Sequence, residues 1–266
     1  MESRNFSNFT LILAFQRSGT TALRNILENS GKFYNFGEIF APIRTKQEHG
    51  VYNFFEKSVK SDLTHIYPSF ENRVRFFDLY FESLQEKAES TGKFPLIDVK
   101  YDVLYNMHTY FQGVDIEPFF LKFCKMRKVK IVHLVRDNSF EIALSLAIAR
   151  KNKQYHFKEH QAQASDITLE KEDVARFFKD HINQVSMAEN YLKNHSHLAL
   201  TYEKSFENSR LTKNSIQSLS NYLNLDLNKA ESNFVKKSKS NKDLISNLKE
   251  VSDYVADIQK ELVKRK

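Results

Sequence analysis

The stretch ILAFQRSGTTALRNIL, from Ile12 to Leu27, changes its pattern twice. It begins inside an apolar run, residues 9–15, which is rich in β-forming residues and predicts a strand buried on both faces. The polar turn Gln16–Thr21 follows, and Gly31 then stands where a helix C-cap glycine is expected. Between the turn and Gly31, apolar residues recur at helical spacing: Ala22, Leu23, Ile26 and Leu27. Strand, small-residue turn and helix form the layout that directs free backbone N–H groups at an anion.

The turn itself offers further groups to an anion. Ser18, Thr20 and Thr21 carry hydroxyl donors, and Arg17 adds a cation. A second interpretation is open, because Ser-Gly-Thr is also a common way to start any helix. Taken alone, the turn leaves both interpretations standing.

Nucleoside triphosphates are a poor match to this turn. A P-loop nucleotidase needs G-x-x-x-x-G-K-[ST], whose Lys reaches the β- and γ-phosphates. Here no glycine precedes the turn at the required spacing, and Thr20 stands in place of the Lys. The segment Leu96–Asp98 has the pattern of a Walker-B strand end, but an apolar run followed by Asp is common. A P-loop-type small-molecule kinase is therefore the weaker alternative.

Composition restricts the class of protein. The 266 residues are enough for one large α/β domain, and the net charge of +7 favours anionic ligands. Lys and Arg are spread along the chain without a basic-aromatic block, so no nucleic-acid partner is expected. Cys124 is the only cysteine, which excludes an internal disulfide and a Cys-based zinc cluster. Residues 1–6 do not resemble a signal peptide and no apolar run approaches membrane length, so we expect a cytoplasmic protein without a membrane span.

Strands and helices alternate along the rest of the chain. Further strands are predicted at 94–99, 129–135 and 197–202, and helices at 72–88, 138–149, 169–192, 209–223 and 242–264. The aromatic-rich residues 32–80 are predicted to be irregular, with side chains that either stack on sugar faces or form plain core. Asn138 is the predicted N-cap of its helix, with Glu141 completing a capping box. The alternation predicts a single α/β domain over 1–266, with a P-loop-like, mostly parallel sheet and helices on both faces.

A second cationic turn follows the strand at 129–135. Arg136 leaves this strand and Ser145 lies on the next helix, a pair that suits a phosphate dianion. The alternative is an Arg that caps the sheet edge and a Ser that faces another helix. Ligands of parallel sheets bind beyond the carboxyl ends of the strands, where Gln16–Thr21, Lys100 and Arg136 would converge. Two such turns favour a ligand with two separate anionic groups over the contiguous polyphosphate of ATP.

With both turns in place, the sequence resembles the sulfotransferases that use 3′-phosphoadenosine 5′-phosphosulfate (PAPS). Arg17–Thr21 resembles their 5′-phosphosulfate loop, and Leu134-Val-Arg136 with Ser145 resembles their 3′-phosphate site. The spacing from Arg136 to Ser145 is similar to that of the bacterial branch, which includes the trehalose and nodulation-factor sulfotransferases. Four further segments fit this branch: Phe36–Phe40, Asp98–Lys100, Leu200–Glu203 and Ile245–Val251. The departures are Gln16, where Pro is frequent, and Asp137, which replaces a frequent second basic residue and would either weaken 3′-phosphate binding or hold Arg136 in place.

The resemblance implies roles for particular residues. PAPS is the implied co-substrate, no metal is needed, and the catalytic residues are Glu38, Arg17 and Lys100. Glu38 is the implied general base, although a Glu after Gly in a loop is usually just solvated, and Lys100 touches the leaving group or acceptor unless it is a surface charge. The implied nucleotide-binding residues are Arg17, Ser18, Gly19, Thr20, Thr21, Arg136, Ser145, Lys236 and Lys237.

The resemblance implies a small-molecule or saccharide acceptor, and the bacterial branch favours a saccharide or glycolipid. Tyr155 and His156 are candidates, together with Glu38, to line its pocket, and His156 is an alternative base. A homodimer is left open. Sulfuryl transfer runs in line through a loose transition state, so catalysis consists mostly of positioning and electrostatics, by analogy with phosphoryl transfer. Besides the kinase, a non-catalytic nucleotide-binding protein is the remaining alternative, and Glu38 with the Arg17 and Arg136 pair counts against it.

Overall fold

A five-stranded parallel sheet forms the centre of the protein. The computed structural model describes residues 4–41, 48–66, 69–105, 117–152, 166–208, 210–227 and 241–264. The strand order is β2-β3-β1-β4-β5, and every neighbouring pair is parallel. The strands are β1 (Thr10–Ala14), β2 (Phe33–Glu38), β3 (Phe94–Lys100), β4 (Lys130–Val135) and β5 (His197–Thr201).

Helices connect the strands and follow the last of them. They are α1 (Thr20–Asn29), α2 (Val51–Ser61), α3 (Phe70–Glu89), α4 (Phe119–Met126), α5 (Ser139–Lys151), α6 (Lys171–Leu192), α7 (Tyr202–Ser205), α8 (Lys213–Leu223) and α9 (Leu248–Lys264). A short antiparallel pair, β6 (Phe206–Glu207) and β7 (Arg210–Leu211), follows α7. Short 3₁₀ turns lie at Leu63–Ile66, Tyr101–Val103 and Asn241–Leu244.

The central strand β1 is buried along its whole length. Leu11 and Leu13 face a core that includes residues of α3, α4, α5 and α6. Ile12 and Ala14 point to the other side, into a core with α1 and α8. Alternate side chains of one strand therefore enter two separate cores. The predicted mostly parallel sheet, covered by helices on both faces, is confirmed.

The prediction for residues 32–80 is wrong. This segment contains β2 at one edge of the sheet, helix α2 and the start of α3. The pairing of β2 with β3 shifts register between Asn35 and Glu38, so β2 lacks the regular alternation that would have revealed it in the sequence. Phe33, Phe36 and Phe40 belong to the buried core, which is the second of the two interpretations given for these aromatic residues. Helix α4 was also not predicted.

Two predicted helix ends are confirmed. The side chain of Asn138 accepts a hydrogen bond from the Glu141 amide at 3.0 Å, which caps α5. Gly31 follows α1 with φ of 75° and donates to the carbonyl oxygen of Glu28 at 2.9 Å. In the ranges that the structure describes, every helix is too short or too polar to cross a membrane.

Candidate active site

The turn between β1 and α1 has a backbone shape that few sequences adopt. Arg17 has φ of 65° and Gly19 has φ of 90°, both in the left-handed region. Helix α1 begins at Thr20, and its N-cap residue Gly19 has no side chain to cap it. Ser18 is fully buried, and its hydroxyl has no hydrogen-bond partner among the described residues. A buried donor without a partner is costly, so the Ser18 hydroxyl is suited to hydrogen-bond to an oxygen atom of a ligand.

Gly19 is required here by a close contact as well as by its φ. A Cβ atom at this position would lie 2.4 and 2.5 Å from two ring carbons of Tyr202. Tyr202 is the first residue after β5, so the end of β5 packs directly on the turn after β1.

The two cationic turns meet, as their positions after β1 and β4 predicted. The Nε atom of Arg17 donates to the Ser145 hydroxyl at 2.9 Å, and Nη1 of Arg136 donates to the Arg17 carbonyl at 3.3 Å. Burial, and secondarily the positive charge of Arg136, lowers the pKa of the Arg17 guanidinium. A bound anion would offset this unfavourable effect on the charge of Arg17.

Glu203 is the carboxylate that contacts Arg136. Its Oε1 lies 3.7 Å from Nε of Arg136, and its two oxygens accept hydrogen bonds from the amides of Asp137 and Asn138 at 2.9 and 3.2 Å. The Arg136 guanidinium also lies over the Tyr202 ring, 5.1 Å from its centroid. The sequence marked the segment Leu200–Glu203 as similar to the family but indicated no role for Glu203.

Lys100 is a buried cation at the end of β3. Its Nζ donates to Thr20 Oγ1 at 2.6 Å and to both carboxylate oxygens of Asp98 at 2.7 and 2.8 Å. Asp98 is fully buried and also lies 3.3 Å from Nε of Arg24. Lys100 is therefore fixed against the first turn of α1, and the interpretation of it as a surface charge is wrong.

Besides Asp98, two further carboxylates lie near Lys100. Oε1 of Glu38, at the end of β2, is 3.5 Å from Nζ of Lys100, and the Glu38 side chain is 42 % exposed. Asp102 follows β3 and accepts a hydrogen bond from Nε2 of Gln16 at 2.8 Å. Desolvation, with a smaller contribution from the Glu38 charge, raises the pKa of Asp102. Sequence reasoning missed Asp102, since an isolated Asp in a short turn carries no spacing signal.

His181 lies behind the second cationic turn. Its Nδ1 is 2.9 Å from the hydroxyl of Ser139 in the first turn of α5, and its ring packs edge-on against Phe15. Burial, followed by the positive charge of Arg136, lowers the pKa of His181 to about 4. The imidazole is therefore neutral near pH 7. His181 is one of the buried residues of α6, and the sequence indicated no role for it.

Five candidates from the sequence remain. Thr21 is exposed in the first turn of α1. Tyr155, His156, Lys236 and Lys237 lie outside the residues that the structure describes. Within the described ranges, no cluster of three or more His, Cys, Asp or Glu side chains has the arrangement of a metal site.

Comparison with known proteins gives one family. A family model described as Sulfotransferase domain matches residues 8–266. No curated protein is similar enough to count as a match.

The solved structures that are similar to the chain include the following three. The sulfotransferase domain from the curacin biosynthetic pathway is 14 % identical with a TM-score of 0.45, covering 91 % of this chain and 83 % of that one. The sulfotransferase domain from the Synechococcus PCC 7002 olefin synthase is 11 % identical with a TM-score of 0.46, covering 86 % and 78 %. Retinol dehydratase, in complex with androsterone and inactive cofactor PAP, is 13 % identical with a TM-score of 0.37, covering 95 % and 65 %. The family match extends over nearly the whole sequence, and the chain belongs to the sulfotransferase domain family.

Proposed function

We propose that this protein transfers a sulfuryl group from PAPS to an acceptor hydroxyl, and that residues 1–266 act as one sulfotransferase domain. The observation that carries the proposal is the contact between the two cationic turns. Arg17 bonds to Ser145 and Arg136 bonds to the Arg17 carbonyl, so two anion-binding turns on adjacent strands form one continuous site. A nucleotide with phosphates at both ends of its ribose matches this arrangement.

The residues present fit such a donor. The turn from Arg17 to Thr21, with its buried and unpartnered Ser18 hydroxyl, would hold the 5′-phosphosulfate. Arg136 and Ser145 would hold the 3′-phosphate, since a guanidinium binds a phosphate dianion in a fixed geometry. Lys236 and Lys237 remain proposed as further 3′-phosphate contacts on the sequence alone. No metal ion is part of the proposal.

The cations next to the turn would stabilise the charge that develops during transfer. PAPS, when bound, supplies the sulfuryl group and leaves as 3′-phosphoadenosine 5′-phosphate (PAP). Negative charge grows on the oxygen that bridged sulfur and phosphorus, and Arg17 and Lys100 lie at the turn proposed to bind that end. Lys100 is held there by Thr20 and Asp98, so little reorganisation is needed as the charge develops.

Glu38 is the proposed general base. Its side chain is partly exposed beside the buried Lys100, so an acceptor approaching from solvent can reach the Glu38 carboxylate. The acceptor oxygen forms a bond to sulfur while the sulfur–bridging oxygen bond breaks and its electron pair stays with the departing phosphate. The acceptor proton passes to the Glu38 carboxylate. His156 remains the alternative base.

A saccharide or glycolipid is the proposed acceptor class. This proposal rests on the resemblance to the bacterial branch. The described aromatic residues between β2 and α3 are mainly core and do not add support for stacking on sugars. Tyr155 and His156 are the proposed acceptor contacts.

A thermal-shift panel tests the nucleotide. PAP should stabilise the protein without metal, by about 2.7 kcal/mol at a hundred times its dissociation constant. Adenosine 5′-phosphosulfate (APS) and AMP lack the 3′-phosphate and should stabilise it much less. Arg136→Ala should remove most of the PAP effect and leave that of APS nearly unchanged. Greater stabilisation by Mg-ATP or Mg-GTP than by PAP would reject the proposal in favour of the kinase.

A further inference from the structure

The end of β5 contacts both anion-binding turns through two adjacent residues. The Tyr202 ring packs against Gly19 on one side, and the Arg136 guanidinium lies over it. Glu203 reaches Arg136 and the two backbone amides that follow it. Neither residue belongs to either turn, yet together they join the two.

The contacts of Glu203 fix the position of Arg136 in two ways. Oε1 lies 3.7 Å from Nε of Arg136, an atom that makes no hydrogen bond within the described residues. The same carboxylate accepts from the amides of Asp137 and Asn138, which connect Arg136 to α5. A carboxylate at a helix N-terminus is also favoured by the helix dipole. Side chain and backbone of the Arg136 turn are therefore held by one group.

These contacts leave Arg136 able to bind a phosphate. A guanidinium has five N–H donors, and Glu203 faces only the Nε edge. Nη1 donates one of its hydrogens to the Arg17 carbonyl. The contacts with Glu203 and with this carbonyl therefore do not use the second N–H of Nη1 or the two N–H groups of Nη2. The carboxylate thus orients the guanidinium without covering all of its donors.

We propose that Glu203 is a positioning residue that sets the preference of the site for a 3′-phosphorylated nucleotide, by holding Arg136 and the turn before α5 in place. This inference rests on the proposed function. The contacts of Glu203 lie at the 3′ end of the site, whereas Thr20 and Lys100 at the 5′ end bond to each other and Lys100 to Asp98. Removal of Glu203 should therefore weaken the 3′ end of the site and spare the 5′ end.

Titration calorimetry of the full chain with PAP and with APS tests the inference. Glu203→Ala should weaken PAP binding about tenfold, the size expected for one weakened charged hydrogen bond, and change APS binding less than about twofold. Glu203→Gln keeps an oxygen that can accept one amide and loses the charge, so its effect should be intermediate. Glu207→Gln, at an exposed position on β6, is the matched control and should bind both ligands as the wild type does. Thermal unfolding without ligand shows whether each variant is folded, and Glu203→Gln carries the test if Glu203→Ala is not.

The outcomes separate the inference from the proposed function. A wild-type protein that does not prefer PAP to APS contradicts the proposed function itself. With that preference intact, equal losses of both ligands in the Glu203 variants would make Glu203 an ordinary structural residue. Tighter PAP binding by the variants would mean that the Glu203 carboxylate competes with the 3′-phosphate for Arg136. Either result overturns the inference.

Discussion

Gly19, in the turn between β1 and α1, is a position where a side chain is poorly tolerated. Its φ of 90° is strained for any residue with a side chain, and a Cβ would lie 2.4 Å from the Tyr202 ring. The steric cost is separable from the backbone cost, because Gly92 has φ of 69° and a Cβ atom there would have nothing within 4 Å.

Gly19→Ala should therefore cost more stability than Gly92→Ala. We expect about 1 kcal/mol for the φ penalty at Gly92 and a further ~1–3 kcal/mol at Gly19 from the steric contact. Urea unfolding of the two variants measures the difference. Equal losses would show that Tyr202 moves aside without cost.

Glu38→Gln tests the proposed base. The variant keeps the size of the side chain and removes its basicity, so turnover with PAPS and an acceptor found by a saccharide screen should fall by about 10²–10⁴-fold. PAP affinity should stay within a few-fold, because the nucleotide is proposed to bind at the turns after β1 and β4. His156→Ala is the comparison variant, and loss of turnover there with normal turnover in Glu38→Gln would transfer the role to His156.

The start of α5 links secondary structure to the proposed nucleotide site. This helix carries Ser145 and follows closely after Arg136, and Asn138 caps it through the Glu141 amide. Ser69 caps α3 in the same way, through the Asn72 amide at 3.1 Å. The two caps have similar chemistry, but only one of them adjoins the cationic turns.

Asn138→Ala and Ser69→Ala should each lower the free energy of unfolding by about 1 kcal/mol, the usual cost of a lost N-cap. Only Asn138→Ala should also weaken PAP binding, since it loosens the helix that holds Ser145. Calorimetry and urea unfolding on both variants provide the comparison. Unchanged PAP affinity in Asn138→Ala would show that the turn before α5 is held without its cap.

The parts of the fold that the sequence predicts are those with a clear period or a local signal. Strands β1, β3, β4 and β5 are short apolar runs, and α5 and α6 have a cap or a long amphipathic pattern. Strand β2 was missed because its edge position and shifted register break the alternation. Helix α4 has only eight residues, too few for its helical period to be recognised in the sequence.

The residues of the candidate site were likewise predicted only in part. Residues on the turns after β1 and β4 were predicted because strand, turn and helix are contiguous in the sequence. Asp98 and Lys100 lie two residues apart on β3, so their side chains share a face and the pair could have been inferred from the spacing. Glu203 and Arg136 lie on different elements, and their contact leaves no spacing in the sequence from which to infer it.

Acid should destabilise the folded protein through its buried histidines. His133 on β4 is buried with Nε2 2.5 Å from the Tyr101 hydroxyl, and burial, followed by the His197 charge, lowers its pKa to about 4. Its pKa in the unfolded chain is about 6.5, so the unfolded state binds more protons between these values. The resulting loss of stability is absent well above pH 6.5 and grows as the pH falls toward 4.

The free energy of unfolding should therefore fall by about 2–3 kcal/mol from His133 alone between pH 7 and about pH 4.5. Urea unfolding at the two pH values measures it. His133→Gln should show a smaller drop than the wild type, whereas His65→Gln, at a half-exposed position, should show the full drop. If the wild type and His133→Gln lose the same free energy of unfolding between the two pH values, groups other than His133 cause the loss.

The strand order gives the proposed reaction a direction across the sheet. Along the edge formed by the strand ends, the order is Glu38, Lys100, Arg17, Arg136 and Glu203, one from each neighbouring strand end. Adjacent strands are about 4.8 Å apart, so the five strand ends span about 19 Å, an interval set by the backbone hydrogen bonds of the sheet. The sulfuryl group would travel from the middle of the row toward β2, the outermost strand on that side. In the proposed reaction, the acceptor would therefore lie beside Glu38 at the β2 edge of the sheet and the nucleotide over the ends of β1 and β4, side by side along one row.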